Sequence, residues 1–199
     1  MTLQKSDTRL AGDRVFARWV PTLRGVFGAA LRRQRAAIVV ALLLWAAALA
    51  LGIKSAGDGT SLLHSDQDLA SGRFWLSVFG TNARISLGLF SGVVLLGTTT
   101  LFQVVSTAPL LGAMVAEVVN LRGWGAFAVH VGPHLLPELG AIVLATAAGL
   151  SSLVGLVRRM GGWSSRVAFL QALRDAFLLE VIALLSLLVA ATIETWISR

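Results

Sequence analysis

Long apolar stretches separated by short polar ones run the length of this 199-residue chain. Residues 36–53 carry no charged side chain and follow Arg32, Arg33 and Arg35. Further apolar stretches cover 82–105, 106–121, 125–157 and 176–197. A helix needs about 20 apolar residues to cross the ~30 Å hydrocarbon core, and only helices or closed barrels satisfy their backbone there. The pattern therefore predicts an all-α fold, a polytopic helical membrane bundle of about five spans with broken or short helices. Pro109–Asn120 covers only about 18 Å, so 106–121 is either a short span continuous with Ser106 or a re-entrant segment. The stretch 125–157 is interrupted by Gly132, Pro133 and Pro137. The stretch 82–105 carries Gly88, Gly92 and Gly97, with Gly88 and Gly92 spaced for close helix contact.

The polar segments divide the chain into a leader, 1–35, and the bundle, 36–199. Residues 1–13 read as disordered. Between Arg14 and Leu31, the residues Val15, Phe16, Trp19, Leu23, Val26, Phe27 and Ala30 follow helical spacing with arginines interleaved. That spacing suits either a basic amphipathic helix on the membrane surface or a plain extension of the first span. Residues 54–73 form a polar loop in which His64, Asp58, Asp66 and Asp68 read as solvated side chains more readily than as a cation site. Trp75 and Phe79 read as interfacial anchors.

Charge fixes an expected orientation. Lys5, Arg9, Arg14, Arg18, Arg24, Arg32, Arg33 and Arg35 precede the first span, and Arg158, Arg159, Arg166 and Arg174 crowd the loop at 158–175. The positive-inside rule puts both on the cytoplasmic side, which requires an even number of crossings between them. Five crossings with the N-terminus inside and the C-terminus outside satisfy this, and 106–121 must then cross. The first apolar run begins too late for a cleavable signal peptide, so it is expected to stay in the protein.

Composition strengthens the class. Hydrophobic residues make up 56% and charged residues 14% of the chain, where a soluble domain would have roughly a quarter charged. Mean hydropathy is +0.78. There is no room for a second folded domain. Cysteine is absent, which excludes disulfides and thiolate metal sites. The net charge of +7 is explained by topology and anionic lipid, so nucleic acid is not an expected partner.

The chemistry concentrates in His130-Val-Gly-Pro-His134-Leu-Leu-Pro-Glu138, which runs into the uncharged stretch that follows. Residues four apart on a helix are turned by only about 40°, so these side chains share a face. Ionisable groups at membrane depth are costly and mark function. The other strongly polar residues at that depth are Asn82, Glu117, Asn120, Glu180 and Glu194. His134 and Glu138 offer an imidazole nitrogen and a carboxylate oxygen to one divalent metal, with Glu194, Glu117 or His130 as a third donor. Zinc with an open position would activate water for peptide hydrolysis, with Glu117 as ligand or general base and Asn82 as an orienting group. No His-Glu-x-x-His signature and no nucleophile elbow is present. Two other readings stand beside the metal site. The same residues can form a hydrogen-bonded knot that fixes helix packing, each bond worth on the order of 1 kcal/mol, or they can line an ion or proton pathway. His130 taken alone reads as structural and Glu180 as interfacial.

Several blocks together resemble the stage II sporulation protein M family. Pro133-His134-Leu-Leu-Pro-Glu138-Leu-Gly-Ala141-Ile142, followed by Ala148-Gly149-Leu150, is similar to its proline-histidine-glycine-x-x-glutamate-leucine-x-alanine block. Phe74-Trp75, Asn82, Gly88, Gly92 and Gly97 resemble its asparagine-then-glycine-rich helix. Leu110-Leu111-Gly112 matches a leucine-glycine step, and Ala190-Ala191-Thr192-Ile193-Glu194 its C-terminal ending. The resemblance covers Phe74 to the end in the family's order, and Leu135 departs from it where the family has glycine. It implies an integral protein of the bacterial cytoplasmic membrane. The founding members act in septal-wall remodelling as membrane partners of peptidoglycan-degrading proteins. Relatives accompany transport genes and the maturation genes of circular bacteriocins. The Arg-over-Lys bias and abundant Ala lean away from the sporulation role.

Three functions follow as expectations. The first is a membrane-embedded metal-dependent hydrolase acting on a peptide. The second is a non-catalytic scaffold for cell-wall remodelling or peptide-export complexes, and the third a small transporter subunit. Expected partners are the lipid bilayer and a peptide substrate or membrane protein. The glycine-rich spans also allow a homo-oligomer.

Overall fold

The computed structural model describes residues 25–56, 72–162 and 166–197. Residues 1–24 and the loop 57–71 lie outside this set. Most of the amphipathic leader and the His64 aspartate loop therefore fall outside it too. The described residues are helical throughout, with no strand. A short helix, α1, covers 25–33. Then come α2 (Arg35–Ser55), α3 (Gly72–Phe90), a 3-10 turn (Ser91–Val93), α4 (Thr98–His130), α5 (Gly132–Met160) and α6 (Arg166–Ile197). Four of them, α2, α4, α5 and α6, are long and apolar enough to cross a membrane. The molecule is a helical membrane bundle.

Helix α5 is its centre. From Ala141 to Ser152 every residue but Leu144 is buried, and most are Ala, Gly, Ser or Thr. A helix buried on all sides has no lipid face to fill, and small side chains let neighbouring backbones come close. Helix α2 shows the complementary pattern. Ala37, Ala41, Trp45 and Gly52 are buried along one stripe, while Val39, Leu42, Leu43 and Leu51 face outward. Trp45 Nε1 donates to Thr146 Oγ1 on α5 at 2.8 Å, and that hydroxyl donates to the Ile142 carbonyl at 2.8 Å. The indole thus has a polar partner in an otherwise apolar contact.

Helices α2 and α4 touch backbone to backbone. A methyl group built at Gly52 would fall on the Pro109 carbonyl, and one at Gly112 on the Leu49 carbonyl. Pro109 lies inside α4 and removes one ladder hydrogen bond. Helix α4 breaks at Gly123, whose φ of 79° and ψ of 162° are non-helical, so a separate short helical piece leads to His130. Pro133 at the start of α5 supplies a preformed first turn.

The stretch 82–105, read from hydropathy as one span, is instead divided. Helix α3 ends at Phe90, the chain reverses through 91–97, and α4 begins at Thr98. Leu96 (φ 50°) and Gly97 (φ 80°) make the reversal, and the Gly97 amide donates to the Gly92 carbonyl at 2.7 Å. Side chains from the following helix and from α5 bond carbonyls around it. Thr100 Oγ1 donates to the Leu89 carbonyl at 2.7 Å and Gln103 Nε2 to the Ile85 carbonyl at 3.0 Å. Ser152 Oγ of α5 donates to the Gly92 carbonyl at 3.3 Å. A break at membrane depth requires such partners. The glycines read as a packing motif are therefore turn and contact residues of a helical hairpin.

At the end of the bundle that carries the arginines, Arg33 clamps α1 to α6. Its Nε and Nη2 donate to Asp175 Oδ2 and Oδ1 at 2.6 and 2.7 Å. Gln34 Nε2 adds a bond to the Ala172 carbonyl at 3.1 Å. Donating to the Asp175 carboxylate raises the Arg33 guanidinium above its ordinary range, so it stays charged at any working pH. Asp175, read from sequence as the end of a loop, is a buried helical residue.

Two outcomes follow. Gly112→Leu should cost about 1–3 kcal/mol through overpacking against Leu49. Gly140→Ala, where nothing lies within 4 Å of an added methyl, should cost nothing. Thermal unfolding of detergent-purified protein compares them, and equal losses would refute the backbone contact. At the clamp, Asp175 is 1% exposed and the Arg33 side chain 42%. Arg33→Gln, which strands the buried carboxylate, should therefore lower the melting temperature more than Asp175→Asn. The reverse order would show that the arginine is the group needing compensation.

Candidate functional site

Helix α3 is the least apolar of the long helices, and its inward face explains why. Trp75, Phe79, Asn82, Ser86 and Leu89 succeed one another at helical spacing. Trp75 and Phe79 stack with ring centres 5.6 Å apart, and Trp75 Nε1 reaches Thr192 Oγ1 of α6 at 3.4 Å. Asn82 and Ser86 follow one turn apart, and each donates to a carboxylate on a different helix.

The Asn82 amide donates to Glu138 Oε1 of α5. Two further ionisable groups bear on this pair. Glu194 of α6 lies within electrostatic reach of Glu138, and His134 within reach of Glu194. All four side chains are partly buried. His134 Nδ1 is a buried nitrogen without a hydrogen-bond partner among the described residues. The helical register of α5 is what sets His134 and Glu138 on one face, as their four-residue spacing requires. Three sequence blocks, on α3, α5 and α6, thus meet at the end of the bundle opposite the Arg33 clamp.

Ser86 Oγ donates to Glu180 Oε1 at 2.8 Å, in a second contact deeper in the bundle. Glu180 is 3% exposed, and its Oε2 has no partner among the described residues. The sequence reading placed it at an interface. The signal that could have found it is the Asn82–Ser86 spacing, which aligns two donors along one face.

The remaining candidates lie elsewhere. Glu117 is half-buried on α4, Asn120 is exposed on the same helix, and His130 is exposed at its end. Among the described residues Glu194 acts on Glu138 and His134 acts on Glu194. Among the described residues no three His, Asp or Glu side chains converge as a ready-made metal group. The grouping is a carboxylate pair with a histidine and an amide donor.

Fold and site together define a multi-pass helical membrane protein with buried carboxylates cross-linked between helices. Residues 36–199 match the family model for stage II sporulation protein M, and the chain belongs to that family of membrane proteins. Neither the curated proteins nor the solved structures contain a match to it.

The Asn82 contact makes a prediction about charge. Asn82→Leu removes the donor from Glu138 and should cost about 1–3 kcal/mol. Asn82→Asp keeps the shape but adds a third carboxylate beside Glu138 and Glu194, and should cost more. Melting temperatures of the two variants at neutral pH decide it. If Asn82→Asp were as stable as wild type, the two glutamates would not be the neighbours described.

Proposed function

We propose that the His134–Glu138–Glu194 cluster binds a divalent cation, zinc by its donor set, in a membrane-embedded hydrolase that acts on a peptide. The observation that carries this reading is the buried His134 Nδ1, unpartnered among the described residues, one helical turn from Glu138 and within electrostatic reach of Glu194 on another helix. Such a set lacks positive charge, and a cation would provide it. Imidazole and carboxylate are fitting zinc donors. A bound ion supplies Lewis acidity and lowers the pKa of water. The chain's own residues hold and orient. Asn82 fixes the Glu138 carboxylate through its amide. Glu117 and His130 have no part in this arrangement. Peptide processing or maturation at the membrane is the role that such chemistry fits.

A second reading has its own observation. Asn82 already engages Glu138, and Ser86 engages Glu180. These bonds are the cross-links expected of a packing knot. On that reading the protein is a non-catalytic scaffold for cell-wall remodelling or peptide-export complexes.

Elemental analysis of protein purified without chelators separates the two, with wild type measured beside His134→Ala and Glu138→Gln. The hydrolase reading expects near-stoichiometric divalent metal in wild type and loss of most of it in both variants. It also expects both to remain folded by size-exclusion profile. Metal-free, well-folded wild type would refute it and leave the scaffold.

A further inference from the structure

The opposite end of the bundle holds a site that the family and the polar cluster do not explain. Two adjoining cavities flank the Arg33–Asp175 pair. One, of 390 Å³, opens between α1 and α6 and is lined by Arg33, Gln171 and Arg174. The other, of 180 Å³, lies between the start of α2, the end of α5 and α6, and is lined by Arg33, Gln34 and Arg158. Arg33 and Asp175 border both.

The charges do not cancel. Asp175 is spent on Arg33, through a two-point contact that uses the Nε hydrogen and one Nη2 hydrogen. A guanidinium has five N–H donors, so three on Arg33 stay undirected. The clamp also fixes the plane in which they point. Arg158 and Arg174 are exposed, and neither has a hydrogen bond or ion pair among the described residues. Among the described residues, three guanidinium groups thus face a cleft that contains one carboxylate, already paired. Arg32, Arg35 and Arg159, their neighbours in the chain, are exposed as well. The exposed faces just beyond are apolar, with Val39 and Val40 on α2 and Val157 and Met160 on α5.

We propose that this cleft binds a phosphate group, that of an anionic lipid headgroup lying at the membrane surface. Arginine suits the task because its planar fork matches phosphate oxygens, and the clamped Arg33 is oriented before the ligand arrives. The Gln171 side chain lines both cavities and offers an amide to the glycerol or headgroup oxygens. Acyl chains would run along the exposed apolar faces of α2 and α5. Basic pockets between membrane helices on the arginine-rich side are suited to such headgroups. The location of the site, where α1, α2, α5 and α6 meet, means that a bound lipid would also tie the leader to the bundle. The proposal is independent of any chemistry at Glu138.

The test uses the full chain in neutral detergent, with lipid binding followed by native mass spectrometry and by melting temperature. Phosphatidylglycerol should bind about tenfold more tightly than phosphatidylcholine. Arg158→Gln/Arg174→Gln should abolish that preference while the protein stays folded. The control, Lys54→Gln/Arg122→Gln, removes the same charge at exposed positions near the other end and should retain it. Equal binding of the two lipids by wild type would overturn the proposal. So would equal loss in both double variants, which would mean general charge attraction. Inorganic phosphate at millimolar concentration should neither displace the lipid nor raise the melting temperature. If it did both, the ligand would be a soluble phosphate and the lipid assignment would fall.

Discussion

Close backbone approach around α5 is the constraint on which the rest of the bundle depends. Lipid is as apolar as leucine, so the hydrophobic effect does not hold membrane helices together, and van der Waals packing must. Between Ala141 and Gly155 most of the buried side chains are Ala, Gly, Ser or Thr, with Ile142, Val143 and Leu150 the larger exceptions. Gly149 has the Leu89 carbonyl and the Thr100 hydroxyl where a methyl would stand, and Gly155 lies against the Phe169 ring. The same economy recurs at Gly52 and Gly112, where α4 lies on α2. Bulk is moved outward, to lipid-facing leucines, valines and phenylalanines.

Close approach is also what makes the polar contacts affordable. Helix α6 carries Asp175, Glu180 and Glu194, about 8 and 21 Å apart along its axis. Each is met by another helix. Arg33 holds Asp175, Ser86 holds Glu180, and Glu194 lies beside His134 and the Asn82–Glu138 pair. Interhelical hydrogen bonds in membranes are worth only about 0.6 kcal/mol on average. They are poor sources of stability, but strong constraints on register, since a slip of one residue would strand a carboxylate in apolar surroundings. Helix α3 therefore belongs in the bundle for its donors rather than for its hydropathy.

Much of this was legible from residue patterns. The long apolar stretches and flanking arginines led to a helical membrane bundle, and the quoted blocks led to the family. What hydropathy could not show was the reversal at 91–97. Val93 to Leu96 is as apolar as any span interior, and the turn depends on Leu96 and Gly97 adopting positive φ while Thr100, Gln103 and Ser152 receive the freed carbonyls. Those partners come from α4 and α5, so no window of local sequence contains the signal. The candidate site was partly legible for a similar reason. The i, i+4 relation of His134 and Glu138 is local and could be read. Asn82 and Glu194 could be grouped with them only as polar residues at membrane depth, because the Asn82–Glu138 bond joins α3 to α5 and no local window contains it. Asp175 and Glu180 were misjudged because a charge near a span end looks interfacial until its partner is known.

The distribution of charge gives the two ends of the molecule different characters. At one end Arg33 and Asp175 satisfy each other and leave further arginines unmatched, so that end is complete in itself and attractive to anions. At the other, the Asn82 amide engages Glu138 alone, with Glu194 and His134 nearby and His134 Nδ1 unpartnered among the described residues. A group that exists only to fix packing should come close to satisfying its own members, as Trp45 and Thr146 do within the core. Among the described residues His134 Nδ1 is not satisfied in that way, and neither is Glu180 Oε2 in the deeper contact. The unpartnered His134 nitrogen, not the presence of polar residues as such, is the feature on which the proposed cation site on α3, α5 and α6 rests.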